Sequence, residues 1–124
     1  MLLYILCQMK ILKLYILNSF GGNRMLLKNK ETEDKFFISL KGEIDQHSCQ
    51  KLRDHLDNVI SKSNKTKIVF DFSDVGFMDS TGIGIILGRY KKFKNTKEFY
   101  IENANPTVDK ILKLSGIYTI IPQI

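Results

Sequence analysis

The stretch Ile68-Val69-Phe70-Asp71-Phe72-Ser73-Asp74-Val75-Gly76-Phe77-Met78-Asp79-Ser80-Thr81-Gly82-Ile83 decides how this chain folds. Its first five residues are almost all β-branched or aromatic, as in a strand at the centre of a sheet. The turn from Met78 to Gly84 leads straight into a segment where Ile83, Ile86, Leu87, Tyr90 and Phe93 recur at helical spacing. Asn95-Thr96-Lys97 ends that helix, and Phe99-Tyr100-Ile101 starts another strand.

The pattern continues in both directions. Upstream, Phe36-Phe37-Ile38-Ser39-Leu40 reads as a strand, with a weaker one from Leu26 to Lys30 and Glu33-Asp34 as the turn between them. Gly42-Glu43-Ile44-Asp45 breaks the strand. Cys49, Leu52, Leu56, Val59 and Ile60 then mark a helix that Asp45 or Ser48 can cap. Downstream, Asn105 caps a helix with Pro106 at its first position. Val108, Ile111 and Leu112 form its apolar face, and Gly116 stops it. Ile117 to Ile121 is expected to add a final short strand. Strands alternating with helices imply right-handed crossovers and a largely parallel sheet, which the opening hairpin makes mixed. The expected fold is a single α/β domain: a mixed sheet of four to five strands with helices packed against it.

A chain of 124 residues has room for one such domain, which needs neither disulfide nor metal to fold. Cys7 and Cys49 have no CxxC spacing, which suits a reducing cytoplasm. His47 and His55 stand eight apart in a polar pattern, more in keeping with surface residues than with metal ligands. The net charge of +6 raises the question of nucleic acid. Half of that excess lies in residues 1–24, as Lys10, Lys13 and Arg24 without any acid, and the other lysines alternate with Asp and Glu. That distribution describes a solvated surface and not a phosphate-tracking stripe.

Residues 1–24 read differently from the rest. Gln8, Lys10 and Lys13 interrupt the apolar run, so no stretch is long enough to span a bilayer. The basic start and small-residue cleavage site of a signal peptide are absent. A helix lying on a membrane surface remains a possible use of the segment. Gly21-Gly22-Asn23-Arg24 directly precedes Met25, and two glycine codons can spell a bacterial ribosome-binding site. Residues 1–24 are therefore expected to be a non-native leader or disordered extension, with Met25 as the natural start and residues 25–124 as the domain.

The chemistry concentrates at Met78-Asp79-Ser80-Thr81-Gly82-Ile83-Gly84. Ser80 falls at or next to a helix N-terminus, where a hydroxyl commonly caps free N–H groups. A nucleophilic serine needs a base, and the motif is not GxSxG. A phosphate-cradling loop needs the Lys-Ser/Thr ending of a P-loop or a full GxGxxG, and neither occurs. Catalysis is not expected. On a helical wheel Ser80, Gly84, Gly88 and Lys91 share one flank, with Thr81 and Ile85 further round and away from the core. Two glycines in an exposed helix interior cost about 1 kcal/mol each relative to alanine. Close packing within the domain explains them equally well as the approach of another surface; with Ser80 and an outward Ile85 they suggest a smooth docking strip.

Phe77-Met78-Asp79-Ser80-Thr81-Gly82-Ile83-Gly84 with Leu87-Gly88-Arg89-Tyr90-Lys91 closely resembles the anti-sigma factor antagonists of spore-forming bacteria, in the sulfate-transporter-and-antagonist (STAS) domain family. Leu40-Lys41-Gly42-Glu43-Ile44-Asp45 and Leu114-Ser115-Gly116-Ile117 match that family too, so the resemblance covers about residues 25–121. It implies a partner-switching cycle. The unphosphorylated antagonist binds an anti-sigma factor that is itself a serine kinase, and a sporulation sigma factor is released. The kinase phosphorylates the serine after the aspartate, here Ser80, and a serine phosphatase resets it. The implied partner-binding residues are Glu43, Asp45, Asp79, Ser80, Thr81, Gly82, Gly84, Ile85 and Gly88. The resemblance implies no cofactor, metal or catalytic residue, no direct nucleic-acid or membrane contact, and a cytoplasmic location. The chain departs from the family at its start and at Pro122-Gln123-Ile124, where relatives continue into another helix. The rival readings are an antagonist in a general stress pathway, a membrane-attached regulatory domain and a nucleotide-binding enzyme.

Overall fold

The computed structural model describes residues 10–18, 24–44 and 49–124. Strands β1 (Lys10–Asn18), β2 (Arg24–Glu31) and β3 (Lys35–Ile44) are followed by α1 (Cys49–Lys62), β4 (Lys67–Met78), α2 (Ser80–Phe93), β5 (Glu98–Glu102) and α3 (Pro106–Ser115). The five strands lie in the sheet in chain order. β1–β2 and β2–β3 pair antiparallel, while β3–β4 and β4–β5 pair parallel through α1 and α2.

The β2–β3 turn closes as its residues require: the Thr32 N–H donates to the Lys35 carbonyl at 2.9 Å, and Thr32 Oγ1 accepts the Lys35 N–H at 3.3 Å. The two parallel connections have the same sense, so right-handed crossovers put α1 and α2 on one face of the sheet. Burial agrees. Phe36, Ile38 and Leu40 of β3 and Ile68, Phe70 and Phe72 of β4 are sealed; of their strand neighbours Phe37, Ser39 and Asp71 are only half-buried, while Val69 is buried as well. Against that face pack Leu52, Leu56, Val59 and Ile60 of α1 and Ile83, Ile85 and Ile86 of α2. Phe70 stacks on Phe72 and Phe99 at centroid distances of 6.2 and 5.9 Å, so its loss would cost about 3–5 kcal/mol.

β4 is longer than the run Ile68–Phe72 on which the sequence reading rested. It continues to Met78 through two register irregularities opposite β3, one between Ser39 and Lys41 and one between Gly42 and Glu43. α3 is tied to this extension: the Asn105 side chain caps the helix by accepting the Val108 N–H at 2.9 Å and donates to the Val75 carbonyl at 2.6 Å. Pro106 takes the first helical position, and Gly116 ends the helix at φ 78°. That left-handed conformation is one glycine adopts freely.

One expectation is corrected. Ile117 to Ile121 forms no strand: Ile117–Thr119 is a turn of 3₁₀ helix, because Ile120 and Ile121 N–H groups both fold back onto the Ile117 carbonyl. The chain reaches the sheet only at Gln123, beside Ile101. There the Ile101 N–H donates to the Pro122 carbonyl at 3.0 Å and the Ile124 N–H to the Ile101 carbonyl at 2.9 Å. Asp109 anchors this end, accepting from Tyr118 Oη at 2.7 Å and Gln123 Nε2 at 3.0 Å while Lys113 Nζ lies 2.9 Å away. Within residues 1–24, the segment expected to be a non-native leader or disordered extension, Lys10–Asn18 is strand β1, paired antiparallel with β2 at the edge of the sheet. Its sequence, rich in Ile, Leu and Tyr, has the composition of a strand.

Candidate functional site at the start of helix α2

The parallel strands β3 and β4 end side by side at Ile44 and Met78, and α2 begins two residues later. Asp79 is its N-cap, in extended conformation, with Oδ1 accepting the N–H groups of Thr81 at 2.8 Å and Gly82 at 3.3 Å. A carboxylate there also meets the positive end of the helix dipole. The cap expected of Ser80 is thus supplied by Asp79. Ser80 becomes the first helical residue, exposed to solvent, with Thr81 half-buried beside it. Two of the free N–H groups of the helix start are already satisfied, so the serine hydroxyl is not needed to hold the helix.

The glycines of the motif divide into two kinds. A Cβ on Gly82 would lie 2.5 Å from Met78 Cγ and 2.9 Å from Ile44 Cγ2, so this buried glycine lets α2 settle onto the strand ends. A Cβ on Gly84 or Gly88 would meet nothing within 4 Å. Packing inside the domain therefore does not require glycine at either place. Both lie on the flank of α2 that carries Ser80, and each costs the helix about 1 kcal/mol.

Ile85, expected to point outward, is 0 % exposed. α2 packs sideways on α1 as well as down on the sheet, so its buried stripe is wider than a single row and takes in Gly82, Ile85, Ile86 and Arg89. Gly82, among the implied partner-binding residues, is buried against the ends of β3 and β4. Arg89, which the sequence reading gave no separate role, is 9 % exposed and marks the α1 contact. Its Nε lies 2.7 Å from Asp57 Oδ1 on α1, an ion pair without an aligned hydrogen bond, and Lys92 Nζ reaches Asp57 Oδ2 at 3.1 Å. An acid on α1 facing Arg89 could be guessed only once the two helices were known to be neighbours.

Of the other expected site residues, Glu43 pairs through its backbone with Phe77. Asp45 lies outside the described residues, as do Ser48 and His47. Asp79, Ser80, Thr81, Gly84 and Gly88 lie along the first nine residues of α2 and its cap. Phe77, just before them, is a large apolar side chain left 45 % exposed. Among the described residues no cluster of His, Cys, Asp and Glu could hold a metal ion, and no helix is long and apolar enough to cross a membrane.

The site thus lies where a parallel β-α-β unit passes from β4 into α2, with Ser80 directly after the Asp79 cap. Residues 27–124 match the model of the STAS domain, and the chain belongs to that family. Among its members this chain is similar to anti-sigma factor antagonists. It is 36 % identical over 86 residues to an anti-sigma F factor antagonist from Paenibacillus polymyxa, covering 68 % of this chain and 74 % of the relative. It is 28 % identical over 88 residues to an anti-sigma-B factor antagonist from Staphylococcus aureus, covering 69 % and 81 %. The structure of the antagonist SpoIIAA in its unphosphorylated form superposes with a TM-score of 0.66 at 28 % identity, over 79 % of this chain and 87 % of that one. The phosphorylated form of the Bacillus cell fate determinant SpoIIAA gives 0.59 at 27 % identity, over 79 % and 90 %.

Proposed function

We propose that this chain is an anti-sigma factor antagonist: unphosphorylated, it binds an anti-sigma factor serine kinase in the cytoplasm and releases a sporulation sigma factor, and phosphorylation of Ser80 ends the binding until a serine phosphatase resets it. The observation that carries the reading is an exposed Ser80 on a helix already capped by Asp79, beside two glycines that the fold does not use. The similarity to an anti-sigma F factor antagonist and to SpoIIAA, known in both phosphorylated and unphosphorylated forms, supports it.

The switch follows from electrostatics. A phosphoserine brings nearly two negative charges at neutral pH. The Thr81 and Gly82 N–H groups that would welcome it are held by Asp79, whose charge repels it. The phosphate therefore stays at the surface and leaves the fold little altered. A docking kinase would have to bury an unpaired dianion, at a cost of several kcal/mol, enough for a hundredfold loss of affinity.

The test is to incubate the protein with the anti-sigma factor of its own genome and ATP, then map the phosphate by mass spectrometry. Phosphate on Ser80, and a Ser80→Ala variant that stays bound in ATP, are the expected results. Phosphate on Ser39 or Ser115 would refute the assignment. The similarity to an anti-sigma-B factor antagonist supports a stress-response version of the same cycle as the second reading. Competition between the anti-sigma factors of the two pathways for this chain separates them.

A further inference from the structure

From the placement of Phe77 we infer that this ring is the aromatic anchor of the partner-binding face, entering an apolar pocket on the anti-sigma factor; the inference rests on the function proposed above. Among the residues from Leu27 onward whose side chains are described, Phe77 is the only exposed aromatic, at 45 %. A lone exposed apolar residue is ordinary on a protein surface and needs no special account. Its position is what distinguishes this one. The other large apolar residues left exposed, Leu114, Ile120 and Ile124, all lie in the last eleven residues.

Phe77 is three residues from Ser80, so the two Cα atoms are at most about 10 Å apart. A standard interface covers about 800 Å² on each partner, a disc of roughly 16 Å radius. A disc centred on Ser80 takes in Phe77 on one side. On the other it takes in Gly84 and Gly88, about 6 and 12 Å along the helix. The residue before it, Gly76, is also exposed, and a Cβ there would meet nothing within 4 Å.

The ring is presented rigidly. Its backbone pairs with Glu43 in the β3–β4 ladder, and the next residue, Met78, is fully buried against Gly82. Only two side-chain torsions remain to be ordered on binding, the small entropic cost that makes aromatic residues good anchors. Aromatic side chains near the centre of an interface, sheltered by their neighbours, commonly carry a large share of the affinity.

The experiment is calorimetric titration of the purified anti-sigma factor from the same genome with wild-type protein, Phe77→Ala, Phe77→Tyr and Ser80→Glu, each with its Tm. The expected result is a loss of about tenfold or more for Phe77→Ala at an unchanged Tm. Phe77→Tyr, which folds alike, should also bind more weakly, because its hydroxyl must enter the apolar pocket. Phe77→Ala and Phe77→Tyr both within twofold of wild type, while Ser80→Glu abolishes binding, would overturn the anchor and leave the functional reading standing. A Tm lowered by several degrees in Phe77→Ala would make the ring a folding residue and overturn it as well. No binding by wild-type protein would overturn the functional reading, and the anchor with it.

Discussion

Replacing Gly84 and Gly88 by alanine should stabilise the protein and weaken it as a binder. Both residues lie in the interior of α2, where alanine is favoured over glycine by about 1 kcal/mol per site. The gain is not offset by crowding, since neither new methyl group meets an atom within 4 Å. The double substitution is therefore worth about 2 kcal/mol. At about 4 °C per kcal/mol, the lower end for a domain of this size, Tm should rise by about 8 °C. The same two methyl groups stand on the flank that carries Ser80, where the partner is proposed to approach. Affinity for the anti-sigma factor should fall about tenfold or more. Gly82→Ala is the internal control. Its Cβ would lie 2.5 Å from Met78 Cγ, and overpacking of about 1–3 kcal/mol cancels or exceeds the helical gain. Thermal unfolding followed by circular dichroism gives the first quantity, and calorimetric titration the second. A lower Tm in the double variant would show that the fold itself uses these glycines. A raised Tm with affinity within twofold of wild type would refute the docking strip.

Asp79→Ala removes the cap of α2 and should cost about 1 kcal/mol, while Asp79→Asn, which also caps, should cost much less; thermal unfolding of the two side by side checks this. Glu102 is held above the usual carboxylate range by burial and then by the charge of Asp71, its neighbour across β4–β5. Its ionisation therefore opposes folding, an effect that is absent below its unfolded pKa and grows as the pH rises through the folded one. Glu102→Gln should thus raise Tm at pH 7, with the difference from wild type closing in acid; a difference constant from pH 3 to pH 7 would contradict that cause. A chain started at Met25, which lacks β1, is proposed to fold and to bind the anti-sigma factor as the full chain does, since no residue of the site lies in β1 and the family match begins at residue 27. Failure of that chain to fold would make β1 a required part of the domain.

Much of the fold follows from local chemistry and can be read along the chain. Hydrophobic period, the Asn105-Pro106 start and the Gly116 stop specify α3 without reference to anything distant, because caps and left-handed turns are satisfied within a few residues. The run Ile68–Phe72 and the turn at Asp79-Ser80 likewise announce a central strand leading into a helix, with an exposed serine at the junction.

What could not be read is whatever depends on neighbours distant in sequence. A helical wheel separates inside from outside only for a helix touching one surface. α2 touches the sheet and α1, so Ile85 is buried and Arg89 is paired with Asp57, thirty-two residues earlier. Gly82, Gly84 and Gly88 are alike as residues in one helix. Only the positions of Ile44 and Met78 make the first a packing requirement and leave the other two open to a partner. The end of the chain shows the same limit. Ile117–Ile121 has strand composition, but hydrogen bonds closing on Ile117 and the anchor at Asp109 turn it into a 3₁₀ turn and defer the sheet contact to Gln123. Composition sets which backbone states are cheap, while the partner available across the fold decides which of them is occupied.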